Sequence, residues 1–122
     1  MALTFLLDEH LRGPLWHAII QHNQQGGIQI DILRVGDPRD LPLGSSDPDI
    51  LIWAEREGRI VISLDRNSMP GHFLSHLQSG RHSPGLLLVH PFCGFTRVVA
   101  ELALITHAGN PADYFDQIGY IP

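Results

Sequence analysis

The sequence has 122 residues, 43% of them hydrophobic, a net charge of −5 and a single cysteine. That is the size of one domain with one real core, which excludes a disordered chain, and one cysteine excludes both an intrachain disulfide and a thiolate zinc cluster. All eight basic residues are arginine and form no tract, which argues against nonspecific duplex binding through a basic face. No apolar run approaches the roughly 20 residues that span a bilayer. The opening "MALTFLLDEH" meets an acid too early for a secretory leader and has no basic residue before its apolar run. The expected location is cytoplasmic, with no membrane partner.

Residues 3–7, "LTFLL", form a continuous apolar run, as in a strand buried on both faces. Pro14 stands near the start of a helix that carries Leu15 and Ile19 at helical spacing and ends at Gly26-Gly27. Residues 28–35, "IQIDILRV", alternate Ile28, Ile30 and Ile32 and read as a strand. The turn-rich stretch 36–47, "GDPRDLPLGSSD", reads as one loop inside the domain. A second helix follows, with Asp47 as N-cap, Pro48 at its first position and Gly58 just past its end. Residues 59–64 are a buried strand. In "NSMPGHFLSHLQSG", Met69, Phe73 and Leu77 share one helix face and Gly80 stops the helix. "GLLLV" at 85–89 is another buried run, a helix covers about 96–109, and "DQIGYI" closes as a last strand. Alternating elements with continuous apolar strands predict an α/β fold. The expectation is a three-layer α/β/α sandwich around a mostly parallel five-stranded sheet, one domain over 1–122.

In parallel sheets, ligands bind beyond the carboxyl ends of the strands, so the residues just after each strand matter most. Asp8 and Glu9 follow the first strand, and Asp65 and Asn67 follow the strand at 59–64. Asp47 opens a helix at the same edge. Parallel topology therefore brings Asp8, Asp47 and Asp65 toward one rim. Three crowded carboxylates repel, and one stays protonated unless a cation joins them. Mg²⁺ or Mn²⁺ suits carboxylate and water oxygens, and such an ion can activate water and steady a phosphoryl oxygen. Each acid also has a structural role open to it: Asp47 as a helix cap, Asp65 as an acceptor for loop amides, Asp8-Glu9 as a solvated turn.

The segments "FLLDEHLRGPLWHAI", "DPDILIWAEREGRIVISLDRNSMPGHF" and "SPGLLLV" together resemble the PIN-like domains of the VapC-toxin-like group. The shared pattern is an apolar strand ending in Asp-Glu-(Asn/His), an Asp that opens a helix running into "A-x-x-(E/D)-G-R" and an apolar strand, and an Asp directly after it. It covers residues 4–89. The resemblance implies a PIN-like sandwich and a Mg²⁺- or Mn²⁺-dependent ribonuclease that attacks RNA phosphodiesters in line. It also implies the toxin role in a toxin–antitoxin pair, with a small antitoxin protein as partner, and often a homodimer. Asp8, Asp47 and Asp65 match the acids of the pattern and would hold the metal. Many relatives carry "D-x-D" where this chain has Asp65-Arg66-Asn67; Asn67 offers a carbonyl oxygen but no charge. One subgroup with "D-x-N-T-M-P" is similar to "DRNSMP" here. Arg12 and Arg66 lie near the rim as candidates to pair with substrate phosphates. Glu9 and Ser63 are second choices, Ser63 as a hydrogen-bond donor to a ligand carboxylate.

Other readings are weaker. A phosphoacceptor receiver domain needs a lysine after its last strand, and the chain has none. His72 and His76, one helical turn apart, with His82 nearby, have zinc or nickel spacing but read more simply as a polar helix face. His10 follows the first acid and is a further candidate. Cys93 reads as a buried thiol. A different class of function is a protein-interaction module on a PIN-like fold whose site has decayed, which Asn67 and the acidic charge favour. The apolar last strand, with Tyr120 and Ile121, would pack at a sheet edge or pair with another chain.

Overall fold

The computed structural model of the protein describes residues 3–11 and 13–122. Five strands form one sheet: β1 (Thr4–Leu7), β2 (Asp31–Arg34), β3 (Arg59–Ser63), β4 (Leu86–Val89) and β5 (Ile118–Ile121). Their order is β2-β1-β3-β4-β5, and every neighbouring pair is parallel. The parallelism expected from the alternation thus extends to all five strands. β1 is flanked by β2 and β3, so the chain leaves β1 to one side and returns to the other. That reversal is the switch point at which α/β sheets open a crevice.

The helices are α1 (Pro14–Gln24), α2 (Asp47–Glu57), α3 (Met69–Gln78), α4 (Phe95–Ala108) and the single turn α5 (Pro111–Tyr114). Two apolar layers sandwich the sheet. Phe5, Leu7, Ile60 and Ile62 meet Leu15 and Ile19 of α1 and Val98 and Leu102 of α4 on one face. Leu6, Val61, Leu86 and Leu88 meet Ile50 and Leu51 of α2 and Met69 and Phe73 of α3 on the other. The strands are short and apolar throughout because both faces are covered, and the period-two pleat deals alternate residues to the two layers.

Several local expectations change. β2 is shorter than the run 28–35, because side chains at the end of α1 occupy the backbone before it. His22 Nε2 lies 2.8 Å from the Ile28 carbonyl, and Asn23 bonds both the N–H and the carbonyl of Ile30 at 2.9 Å. Ser46, not Asp47, caps α2: its hydroxyl accepts from the Asp49 N–H at 3.3 Å, leaving Asp47 as the first helical residue. Gly58 ends α2 in the left-handed region at φ 72°, as the sequence predicts. α5 is an addition, a turn capped by Asn110, whose side chain accepts from the Ala112 N–H. Cys93 is half-buried rather than buried. His76 belongs to the interior, its side chain only 3% exposed. Among the described residues no helix is long and apolar enough to cross a membrane.

Candidate functional site

Asp8 continues β1 by one residue, and its N–H still bonds the Ile62 carbonyl of β3 at 3.0 Å. The pleat puts Leu6 and Asp8 on the α2/α3 face, with Val61 and Ser63 beside them on β3. Asp8 is therefore 5% exposed at the switch point. Its Oδ2 accepts from the fully buried Ser63 hydroxyl at 2.8 Å, and its Oδ1 from the Glu9 N–H at 2.6 Å. Ser63 thus takes the supporting role read from the sequence. Two donors and the strand end hold the carboxylate in one orientation, and each oxygen keeps a further lone pair.

Asp47 reaches the same rim from α2. The Glu9 carboxylate accepts from the Gly44 N–H, tying the turn after β1 to the loop before α2. Burial pushes the Asp47 carboxyl above the usual carboxylate range; the neighbouring Asp8 and Asp65 carboxylates add to the shift, and His72 and His10 oppose it. His72, one turn into α3, stands 3.8 Å from Asp47 Oδ2 through Nε2. Burial is thus the larger part of the shift on Asp47, and the repulsion expected of three acids the smaller.

Asp65 follows β3 by two residues and turns into its own loop. Its Oδ1 accepts from the N–H groups of Asn67 at 3.0 Å and Ser68 at 2.9 Å, and its Oδ2 accepts from the Ser68 hydroxyl. The Ser68 hydroxyl and N–H hold the Asp65 carboxyl below its ordinary value. Expected as a main ligand, Asp65 is instead largely engaged in closing the turn into α3, with one acceptor position left on Oδ2. Asn67 is exposed in that turn and contributes its N–H to it. Arg66 places its guanidinium 5.7 Å from the Tyr120 ring centre and makes no ion pair among the described residues. Arg12 lies outside the described residues.

Asp8, Asp47 and Asp65 therefore share one rim, and among the described residues none of the three has an arginine partner. Among the same residues, no three His, Cys, Asp or Glu side chains stand close enough to hold one ion directly. Sequence reasoning placed His72 on a polar helix face and missed its contact with Asp47. The contact depends on α2 and α3 packing side by side, and nothing local in the sequence signals it. A cavity of about 490 Å³ lies at the opposite, amino edge of the sheet, lined by Glu55, His82, Ser83 and Phe115 among others. Its polar groups are paired with one another or with the adjoining loops, so the chemistry is argued from the carboxylates rather than from the concavity.

In comparisons with known proteins, no family model matches the chain, and neither a curated protein nor a solved structure does.

Proposed function

We propose that this protein is a divalent-metal-dependent ribonuclease that hydrolyses RNA phosphodiester bonds at the carboxyl edge of its sheet. The observation that carries the reading is the meeting of Asp8, Asp47 and Asp65, from three separate elements, with no arginine among the described residues to neutralise them. The donor set fits Mg²⁺ or Mn²⁺. It is all carboxylate, and Mg²⁺ keeps several waters while taking one or two protein oxygens, so three direct ligands are not required. Asp8 and Asp47 would hold the ion, with the remaining position on Asp65 Oδ2 reached through water. When bound, such an ion neutralises phosphate charge and lowers the pKa of water.

The chain's own groups divide the remaining work. Ser63 and the Glu9 N–H orient Asp8. Asp47 would also orient the attacking water, and His72 Nε2, 3.8 Å from Asp47 Oδ2, is the nearby base that would take its proton as the bond to the leaving oxygen breaks. The toxin role, with a small antitoxin protein as partner, is supported by the sequence pattern alone.

A second reading is a protein-interaction module with a decayed site. It is favoured by the engagement of Asp65 in its own turn and by Asn67 where relatives carry an acid. An RNase assay on structured and unstructured RNA separates the two. Wild type should cleave with Mn²⁺ and stop with chelator, and Asp8→Asn should lose about 100-fold or more, the scale of removing one key electrostatic group. Cleavage that survives chelation or Asp8→Asn would refute the nuclease; no cleavage by wild type under any of these conditions would leave the interaction module.

A further inference from the structure

A chain of net charge −5 whose candidate site is a cluster of carboxylates cannot draw affinity for a polyanion mainly from phosphate contacts. Nonspecific nucleic-acid binding ordinarily rests on such contacts. The other source of affinity for an unpaired strand is stacking of its bases on exposed planar side chains. The corner beside the acids carries such surfaces. Sheet register fixes where they lie. Ser63 pairs with Leu88 and Val89 with Ile121, so the loop after β3 is followed, one strand over, by the loop after β4, and then by the end of β5.

Two of these positions present rings, and the third an arginine. Phe92, in the loop after β4, is 90% exposed, against the usual burial of phenylalanine. It is held rather than loose: its N–H donates to His90 Nδ1 at 3.1 Å, and the two rings lie 5.6 Å apart. Tyr120 of β5 is 62% exposed and carries the Arg66 guanidinium over its face. A hydrogen bond from the His90 N–H to the Ile121 carbonyl, 2.9 Å long, joins the two segments. Arg66 brings a cation to this corner, and its donors make no ion pair among the described residues. One ring pair, His90–Phe92, and one ring–guanidinium pair, Tyr120–Arg66, thus stand beside the carboxylates, on the β4–β5 side.

We propose that His90–Phe92 and Tyr120–Arg66 form a stacking platform that holds unpaired nucleotides of an RNA strand beside the acidic rim. The rings take the base faces, and Arg66 takes one phosphate. A base-paired duplex hides its base faces and is refused. The proposal rests on RNA being the ligand of the carboxyl edge, and adds how the strand is held and that it must be unpaired.

The test is binding of a short, unstructured, fluorophore-labelled RNA and of a hairpin of equal length, by anisotropy, in chelator so that nothing is cleaved. Wild type should bind the unstructured strand and discriminate against the hairpin. Phe92→Ala and Tyr120→Ala should each weaken binding by about 5- to 100-fold, the span of one lost base–aromatic stack. Tyr120→Phe should bind as wild type does. Arg66→Ala should flatten the salt dependence by about 0.7 in log–log slope, one phosphate's share for a single strand, whereas Phe92→Ala leaves that slope alone. Because Phe92 is almost wholly exposed, its loss leaves the fold intact. Equal affinity for strand and hairpin, or unchanged affinity in both alanine variants, overturns the platform even if wild type cleaves RNA. Weakened binding in those variants of a protein that never cleaves sustains the platform and removes the nuclease. If either variant turns a dimer into a monomer in sedimentation while RNA affinity holds, the surface is a contact between copies and the proposal is wrong.

Discussion

The two edges of the sheet treat one of their charges differently. At the amino edge every prominent carboxylate has a partner. Glu55 is pushed up by burial, but the His82 N–H, His76 and Arg81 outweigh that and hold it below its ordinary value. Asp116 is likewise opposed by burial and held down by His82 and the Ser83 N–H, with bonds of 2.7 Å to each. Arg59 meets Asp31 at 3.0 Å. At the carboxyl edge Asp65 is held down by Ser68 in its own turn, but Asp47 is driven upward, first by burial and then by the neighbouring Asp8 and Asp65 carboxylates. Paired charges with depressed carboxyl pKa values are what folding alone would leave behind. Like charges kept together cost stability and point to a ligand that relieves them. The lesson is to read the sign of a carboxylate's shift together with its partners, because perturbation alone occurs at both edges.

Three measurements would sharpen or break that contrast. The largest effect should come from adding a divalent counter-charge. Mg²⁺ or Mn²⁺ at about 100 times its dissociation constant should stabilise the fold by about 2.7 kcal/mol by mass action. Thermal unfolding should show this in wild type and not in Asp8→Asn; an equal shift in both would place the ion elsewhere. Next, Asp116→Ala should cost about 1–3 kcal/mol, because it strands the buried Ser83 N–H and puts alanine at φ 58°. RNA hydrolysis at a temperature where the variant is folded should not change, and a matching loss of kcat would erase the distinction between the edges.

The smallest effect concerns pH. A carboxyl whose folded pKa is raised binds its proton more tightly in the native state, so stability falls as pH rises through that folded pKa. Metal-free Asp47→Asn should therefore be more stable than wild type above the folded pKa of Asp47. The two should converge below the ordinary value of 3.8. The gain is modest because a helix N-terminus favours the charge that the substitution removes. Glu55 and Asp116 behave oppositely: their contribution is present above the ordinary carboxylate range and is lost as pH falls through their lowered values. Denaturant titrations across pH that showed wild type gaining on Asp47→Asn with rising pH would reverse the assignment.

Much of this was legible in the chain itself. Apolar runs such as "IVISL" have no polar face to offer, so they require cover on both sides, and their alternation with helical segments leaves a parallel sheet as the economical arrangement. Once the strands are parallel, an acid just after a strand must stand at the carboxyl edge, which placed Asp8 and Asp65 before any coordinate did. Ser63 was legible only as a second-choice donor to a ligand carboxylate; that the carboxylate is Asp8 came from the strand register. The local capping competition at α2 was less legible: "SSDP" offers two serines and an aspartate able to cap, and the Ser46 hydroxyl, lying one residue outside the helix, took the role and left Asp47 as the first helical residue.

Residue order and pattern determined the layers, the mostly parallel direction and the edge at which the acids collect, because those depend on burial periodicity and on chain direction alone. The tertiary structure decided how each acid is partnered. The side-by-side packing of α2 and α3 brought His72 to Asp47. The tight turn after β3 gave most of Asp65's acceptor positions to its own amides. The β4–β5 register set Phe92 and Tyr120 beside the rim. Those are relations between residues far apart in sequence, or between competing donors for one oxygen, and only the packed chain resolves them.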